Sequence, residues 1–215
     1  MRETYNRELD ALDQGIVRMG ALVEQAIEKA TIAITDSDEA LAREVMEGDD
    51  EIDDLFADLE SRTLTFIATQ APVASDLRLI LMVLRAAHDL ERSGDLAYNL
   101  AKVASRHVKM AELKGINTLI FELGNAARRL LGKAIDAWSG KDVELAIEVQ
   151  KLDDEIDELY RKLYRQLYDL KDPDLFEPAL NAVLVGRWYE RVADHAVNIA
   201  ENVRYYVTGD EEFLA

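Results

Sequence analysis

One acidic passage occurs twice in this chain, 104 residues apart. Asp49-Asp50-Glu51-Ile52-Asp53 returns as Asp153-Asp154-Glu155-Ile156-Asp157, each time followed by a further acid and a Leu. A second passage, Glu91-Arg92 with Asp95, Ala97 and Asn99, returns as Glu190-Arg191 with Asp194, Ala196 and Asn198. A repeat constrains the fold before any local motif does, because two copies of one unit must build the same elements and bury the same faces. The same shift carries Gly20 onto Gly124, Ala30 onto Ala134, Ala33 onto Ala137, Asp38 onto Asp142, Leu41 onto Leu145 and Val45 onto Val149. The unit is therefore about 100 residues long, a usual domain size.

Within each copy the apolar residues keep a helical period. Val45, Ile52, Leu55 and Leu59 form one stripe, and Leu152, Ile156, Leu159 and Leu163 form its counterpart. Asp36-Ser37-Asp38-Glu39 and Ser139-Gly140-Lys141-Asp142 read as breaks followed by new N-caps. Thr69-Gln70-Ala71-Pro72 closes the second helix of the first copy; Lys171-Asp172-Pro173 is the matching turn, with Pro178 limiting how early the next helix starts. Helices are predicted at roughly 3–35, 38–69, 74–107, 116–139, 142–170 and 178–208, with Val108 to Gly115 as the linker. The fold class is all-α: two tandem three-helix bundles from an internal duplication, residues 1–109 and 110–215.

Residues four apart on a helix share a face. Asp49 and Asp53, Glu91 and Asp95, Asp153 and Asp157, and Glu190 and Asp194 are so placed. The hairpin register brings these pairs together. The midpoint of Asp53 and Glu91 is Pro72, and that of Asp157 and Glu190 falls at Pro173, although the second copy has lost five residues between them. Residues equally far from the turn of an antiparallel hairpin lie at equal height, so four carboxylates are expected to converge in each bundle. Glu91 and Glu190 also interrupt apolar stripes, between Leu84 and Tyr98 and between Val183 and Val197, with small residues Gly94 and Ala193 beside them. Burying such groups is costly without a cation or strong donors. Arg78, Arg85, Arg92, Arg187 and Arg191 could supply that charge as ordinary salt bridges. A metal could equally supply it, and an all-oxygen site suits magnesium, calcium, manganese or iron rather than copper or a structural zinc. Asn99 and Asn198 extend the polar rows as outer ligands or interhelical hydrogen-bonders. His88, His107 and His195 do not repeat between the copies and read as local packing, with His195 beside Asp194 the one that stands nearest a site.

Composition removes several function classes. A net charge of −18 disfavours binding to nucleic acid, which relies on Lys and Arg replacing counterions, and to an anionic membrane surface. Any membrane association is expected to run through another protein. With no Cys there is neither a thiolate site nor a thiol nucleophile, and the N-terminus shows no signal-peptide pattern; a cytoplasmic protein is expected. The Glu-x-x-His motif of di-iron bundles is absent, as are a phosphate loop and a nucleophile triad. No enzyme is expected, although a carboxylate-bundle metalloprotein, either a metal store or a redox enzyme, is the alternative. Trp188, Tyr205 and Tyr206 read as core aromatics or interface anchors.

The stretch Ala71-Pro72-Val73-Ala74-Ser75-Asp76-Leu77-Arg78, then Asp89-Leu90-Glu91-Arg92-Ser93-Gly94-Asp95, resembles the PhoU family of phosphate-transport regulators. So do Glu190-Arg191-Val192-Ala193-Asp194-His195-Ala196-Val197-Asn198-Ile199-Ala200-Glu201 and Val207-Thr208-Gly209-Asp210. The resemblance covers essentially the whole chain, with Ala193 where the family usually has Gly. It implies a cytoplasmic homodimer that negatively regulates phosphate uptake and phosphate-starvation signalling, linking the ATPase subunit of a phosphate transporter to a sensor histidine kinase. It also implies a multinuclear metal, iron first and Mn, Zn, Mg or Ca as alternatives, on Glu91, Asp95, Glu190 and Asp194, with Asp49, Asp53, Asp153 and Asp157 on the partnering helices.

Overall fold

The computed structural model describes residues 2–106, 113, 115–210 and 212. His107, most of the predicted linker and the expected boundary between the two units lie outside the described residues. Among the described residues six α-helices follow in order: α1 (Arg2–Asp36), α2 (Glu39–Gln70), α3 (Ala74–Ala104), α4 (Ile116–Gly140), α5 (Val143–Tyr168) and α6 (Phe176–Thr208), with a 3₁₀ turn at Pro173–Leu175 before α6. Among the described residues there is no strand. The two expected N-caps form: the Asp38 carboxylate accepts from the amides of Ala40 and Leu41, and Asp142 accepts from that of Leu145, each at 3.0 Å.

The repeat is visible in the packing. α1 lies against α2 and α3, and α4 lies against α5 and α6. Across the two halves, α1 packs on α4 and α3 packs on α6, so each of these helices meets its own counterpart. That is the arrangement a local twofold axis produces. Gly20 abuts Ile135 while Gly124 abuts Thr31, the same contact made once from each side. A Cβ at either glycine would overlap the facing side chain, so glycine permits the close approach of α1 and α4. Nearer the axis, Arg128 donates to Glu24, its own counterpart 104 residues away, at 2.6 Å. Tyr189, wholly buried, shares a hydrogen bond of 2.9 Å with Thr31 across the halves. One hydrophobic core, from Leu12 to Val203, runs through both bundles without interruption.

The five residues missing from the second hairpin come from its helices, not its loop. α2 runs to Gln70 and α3 resumes at Ala74, whereas α5 stops at Tyr168 and α6 starts at Phe176. Counting from the acidic passages, the second hairpin has shorter arms and a longer turn. α6 also begins two residues before the expected start at Pro178, which sits in its first turn, where a missing amide costs nothing.

Candidate functional site

In the first bundle, α2 supplies Asp49 and Asp53 and α3 supplies Glu91 and Asp95. The two helices come close at Gly94. A Cβ there would stand 3.2 Å from the Ile52 side chain and 3.5 Å from Asp49 Oδ1, so the glycine lets the Asp49 carboxylate lie against α3. The electrostatics show that the four acids share one neighbourhood. Burial first, then Asp53, Asp95, Asp50 and Glu91, push the Asp49 carboxyl up to about 6. Asp53 is raised by burial and then by Asp95, Asp50 and Asp54. Glu91 is raised by burial and then by Asp95, with Arg92 and His88 pulling the other way and Asp53 adding to the rise. The register drawn from Pro72 thus brings the two acid pairs together.

The second bundle repeats the arrangement. Asp153 is pushed up to about 6 by burial, then by Asp157, Asp194, Asp154 and Glu190. Here, however, two arginines enter. Arg187 hydrogen-bonds and ion-pairs with Glu190, and Arg161 pairs with Asp157 at 3.2 Å and with Glu158. The positions equivalent to Arg187 and Arg161 hold His88 and Ala57 in the first bundle. Glu91 faces Arg92, whose Nε is 3.7 Å from Oε2, and among the described residues that buried oxygen accepts no hydrogen bond.

The chemistry of the donor set fits a hard cation: oxygen only, partly buried, mutually repelling and, in the first bundle, with an oxygen lacking a donor. The geometry is less complete. Among the described residues no group of three or more His, Asp or Glu side chains stands arranged to hold a metal ion.

A neighbouring feature was not legible in the repeat. A polar cleft of about 390 Å³ opens between α3 and α6, lined by Arg85, His88, Asp89, Asn198 and Glu201 among others. Asn198 donates to Asp89 Oδ1 at 3.2 Å, so the asparagine is an interhelical hydrogen-bonder between the two halves. Burial pushes Asp89 up to about 6, against the Asn198 bond, His88 and Arg85. Ser93 donates to the Asp89 carbonyl at 2.8 Å, which leaves its oxygen to accept from His195 Nδ1 at 2.9 Å. Burial, then Arg191, Arg92 and His88, push His195 down to about 4, so it is neutral at pH 7. His195 is therefore occupied in joining α6 to α3, and His88 packs its ring 6.1 Å from that of Phe56. Asp89 has no acidic counterpart in the second copy; the equivalent position is Trp188. Trp188, Tyr205 and Tyr206 are half-buried against the core.

The model of the PhoU domain matches residues 16–104 and again 120–203. A Mycobacterium tuberculosis protein named phosphate-specific transport system accessory protein PhoU homolog 2 is 35% identical over 210 residues, covering 97% of this chain and 99% of the relative. The homolog from Deinococcus radiodurans is 36% identical over 217 residues, covering 99% and 100%. Among solved structures, PhoU from Pseudomonas aeruginosa superposes with a TM-score of 0.91 at 34% identity, over 96% of this chain and all of that one. The Streptococcus pneumoniae regulatory protein PhoU shares the fold at 24% identity, with a TM-score of 0.85 over 96% of this chain and 98% of the other.

Proposed function

The chain belongs to the PhoU family, and we propose on that premise that it is a non-enzymatic accessory protein of a phosphate-specific transport system. The observation that carries this reading is the end-to-end match: relatives covered over nearly their whole length bear that description. In this reading it restrains phosphate uptake and the phosphate-starvation response by binding the transporter's ATPase subunit and a sensor histidine kinase in the cytoplasm. Homodimerisation belongs to the same proposal. Among the described residues no helix is long and apolar enough to cross a membrane, so contact with a membrane-bound transporter would run through its protein subunits.

The acidic clusters supply the contact chemistry. Asp49, Asp53, Glu91 and Asp95 would hold a cation in one bundle, and Asp153, Asp157, Glu190 and Asp194 in the other, after side-chain rotation from their present positions. The cation, with iron first and Mn, Zn, Mg or Ca as alternatives, would neutralise the carboxylates and offer a bridging charge to a partner. No redox turnover is proposed. A chromosomal deletion should switch on starvation-response genes in phosphate-rich medium, with restoration by the intact gene; unchanged expression would overturn the regulatory reading. Elemental analysis of protein purified without chelator tests the metal separately.

A further inference from the structure

The tips of the two hairpins are not alike in the side chains they present. In the first bundle, the opening turns of α1 lie over the end of α2. The Tyr5 ring packs 4.9 Å from that of Phe66, its hydroxyl donates to Asp76 at 2.7 Å, and Glu8 accepts from Arg62 at 2.9 Å. In the second bundle, Leu113, the counterpart of Leu9, is buried, and the described part of α4 runs from Ile116. α5 stops short. An apolar pocket of about 370 Å³ lies between the end of α5 and the start of α6, and its lining includes Leu167, Leu170, Leu175 and Ala179. Two of these, Leu170 and Leu175, occupy by count the places of Phe66 and Asp76, the residues that hold Tyr5 in the first bundle. Around the pocket Tyr168 is 81% exposed, Phe176 73%, Tyr164 54% and Leu180 53%. In a chain this polar, so dense a set of exposed aromatic and aliphatic groups marks an interaction site.

We propose that this tip docks an amphipathic helix from a partner protein, with aliphatic or aromatic anchors seated in the pocket and Lys or Arg on its flanks. The internal duplicate shows the mode, since the equivalent tip is covered by a helix that inserts Tyr5. The rim shows the charge. Asp169, Asp172, Asp174 and Glu177 are exposed there against Arg165 and Lys171, so basic flanks gain and acidic flanks lose. A second copy of this chain is the poorer occupant, because a self-complementary contact would set the acidic rim against itself between chains of charge −18. The same acids repel an anionic lipid surface. This surface is distinct from both acidic clusters and does not require either to hold a cation.

The test uses the full chain and a labelled synthetic helical peptide with Leu and Phe at i, i+3, i+4 and i+7 and Lys at both ends. Saturable binding is expected, weakened about tenfold or more by Tyr168→Ser with Phe176→Ser, both exposed positions whose change leaves the core intact. Leu64→Ser with Val73→Ser, exposed apolar residues of the first hairpin, should change binding less than about twofold, which separates docking from general attraction to an acidic protein. A peptide with Glu in place of Lys should bind about tenfold more weakly. Equal binding by the two double variants would overturn the inference. So would sedimentation showing a dimer that Tyr168→Ser with Phe176→Ser dissolves, since the occupant is then a second copy. Binding that develops only after Val108→Ser with Met110→Ser would overturn it in favour of the chain's own segment.

Discussion

The two acidic clusters carry the same acids at the same spacing, yet they balance their charge differently. In the second bundle Arg187 and Arg161 reach Glu190 and Asp157 from within the same helices. In the first, the equivalent positions are His88 and Ala57, and among the described residues a buried oxygen of Glu91 is left without a donor. Duplication therefore preserved the carboxylates and the arginine pair Arg92 and Arg191, but not the counter-charges at Arg161 and Arg187. A cluster neutralised by its own arginines has less to gain from an external cation than one that is not. The first bundle is accordingly expected to be the stronger ion site, and the second to lean on internal ion pairs.

The largest effect should come from removing each cluster in turn. A cation supplied at about 100 times its dissociation constant stabilises the folded chain by about 2.7 kcal/mol. Asp53→Asn with Glu91→Gln should abolish most of the rise in Tm that Mn²⁺ produces, whereas Asp157→Asn with Glu190→Gln should leave most of it. Thermal melts with and without Mn²⁺ after chelation read this directly, and equal losses would break the comparison. Next in size is an exchange of the counter-charges. Ala57→Arg with His88→Arg should weaken cation binding at the first cluster about tenfold, roughly 1.4 kcal/mol, and Arg161→Ala with Arg187→His should strengthen it at the second by a similar factor. Calorimetric titration would show whether the cations, rather than the carboxylates, set the difference.

Acid titration probes what the clusters share. Asp49 and Asp153 are both raised to about 6 in the folded chain, above the ~3.9 of an unfolded aspartate. Between these values the folded state binds the proton more tightly, so each group's contribution to stability falls as pH rises from about 4 to about 6. Asp89 acts in the same direction. His195 acts oppositely: its pKa is lowered from 6.5 to about 4, so its contribution rises over the same window. Without cations, Asp49→Asn and Asp153→Asn should each flatten the pH profile by about 1 kcal/mol once solvent screening of these half-buried groups is allowed for. Unequal flattening would show that the arginines reach as far as Asp153. The smallest effect is that of the exposed Arg161 pairs alone, for which Arg161→Ala should cost about 0.5 kcal/mol without cation in chemical denaturation.

Much of this was legible in the sequence because it rests on counting. The caps at Asp38 and Asp142, the six helices and the meeting of the acid pairs follow from period, punctuation and distance to the turn. The arginine asymmetry was also present, in the positions of His88 and Ala57, but it appears only when the copies are compared where they differ. The contacts of Asp89 with Asn198 and of His195 with Ser93 were not legible, because they are made by α3 packing on α6 and have no counterpart in the other copy. The shortened α5 was hidden for another reason: a deletion fixes the number of residues between two motifs, not whether helix or loop gives them up. Leu170 continues a helical pattern, yet it lies beyond the end of α5.

The pairing of α1 with α4 and of α3 with α6 has an evolutionary consequence. Faces that meet their own equivalents are what two separate copies of a single three-helix unit would bury in a symmetric pair. Gly20 against Ile135 and Gly124 against Thr31 are one ancestral contact written twice. Joining the copies in one polypeptide turned an association that depended on concentration into one that is always satisfied. It also freed each copy from having to match itself. A mutation in the ancestral unit would have appeared on both sides of the axis, whereas in the fused chain Arg187 and Arg161 could arise in one half alone.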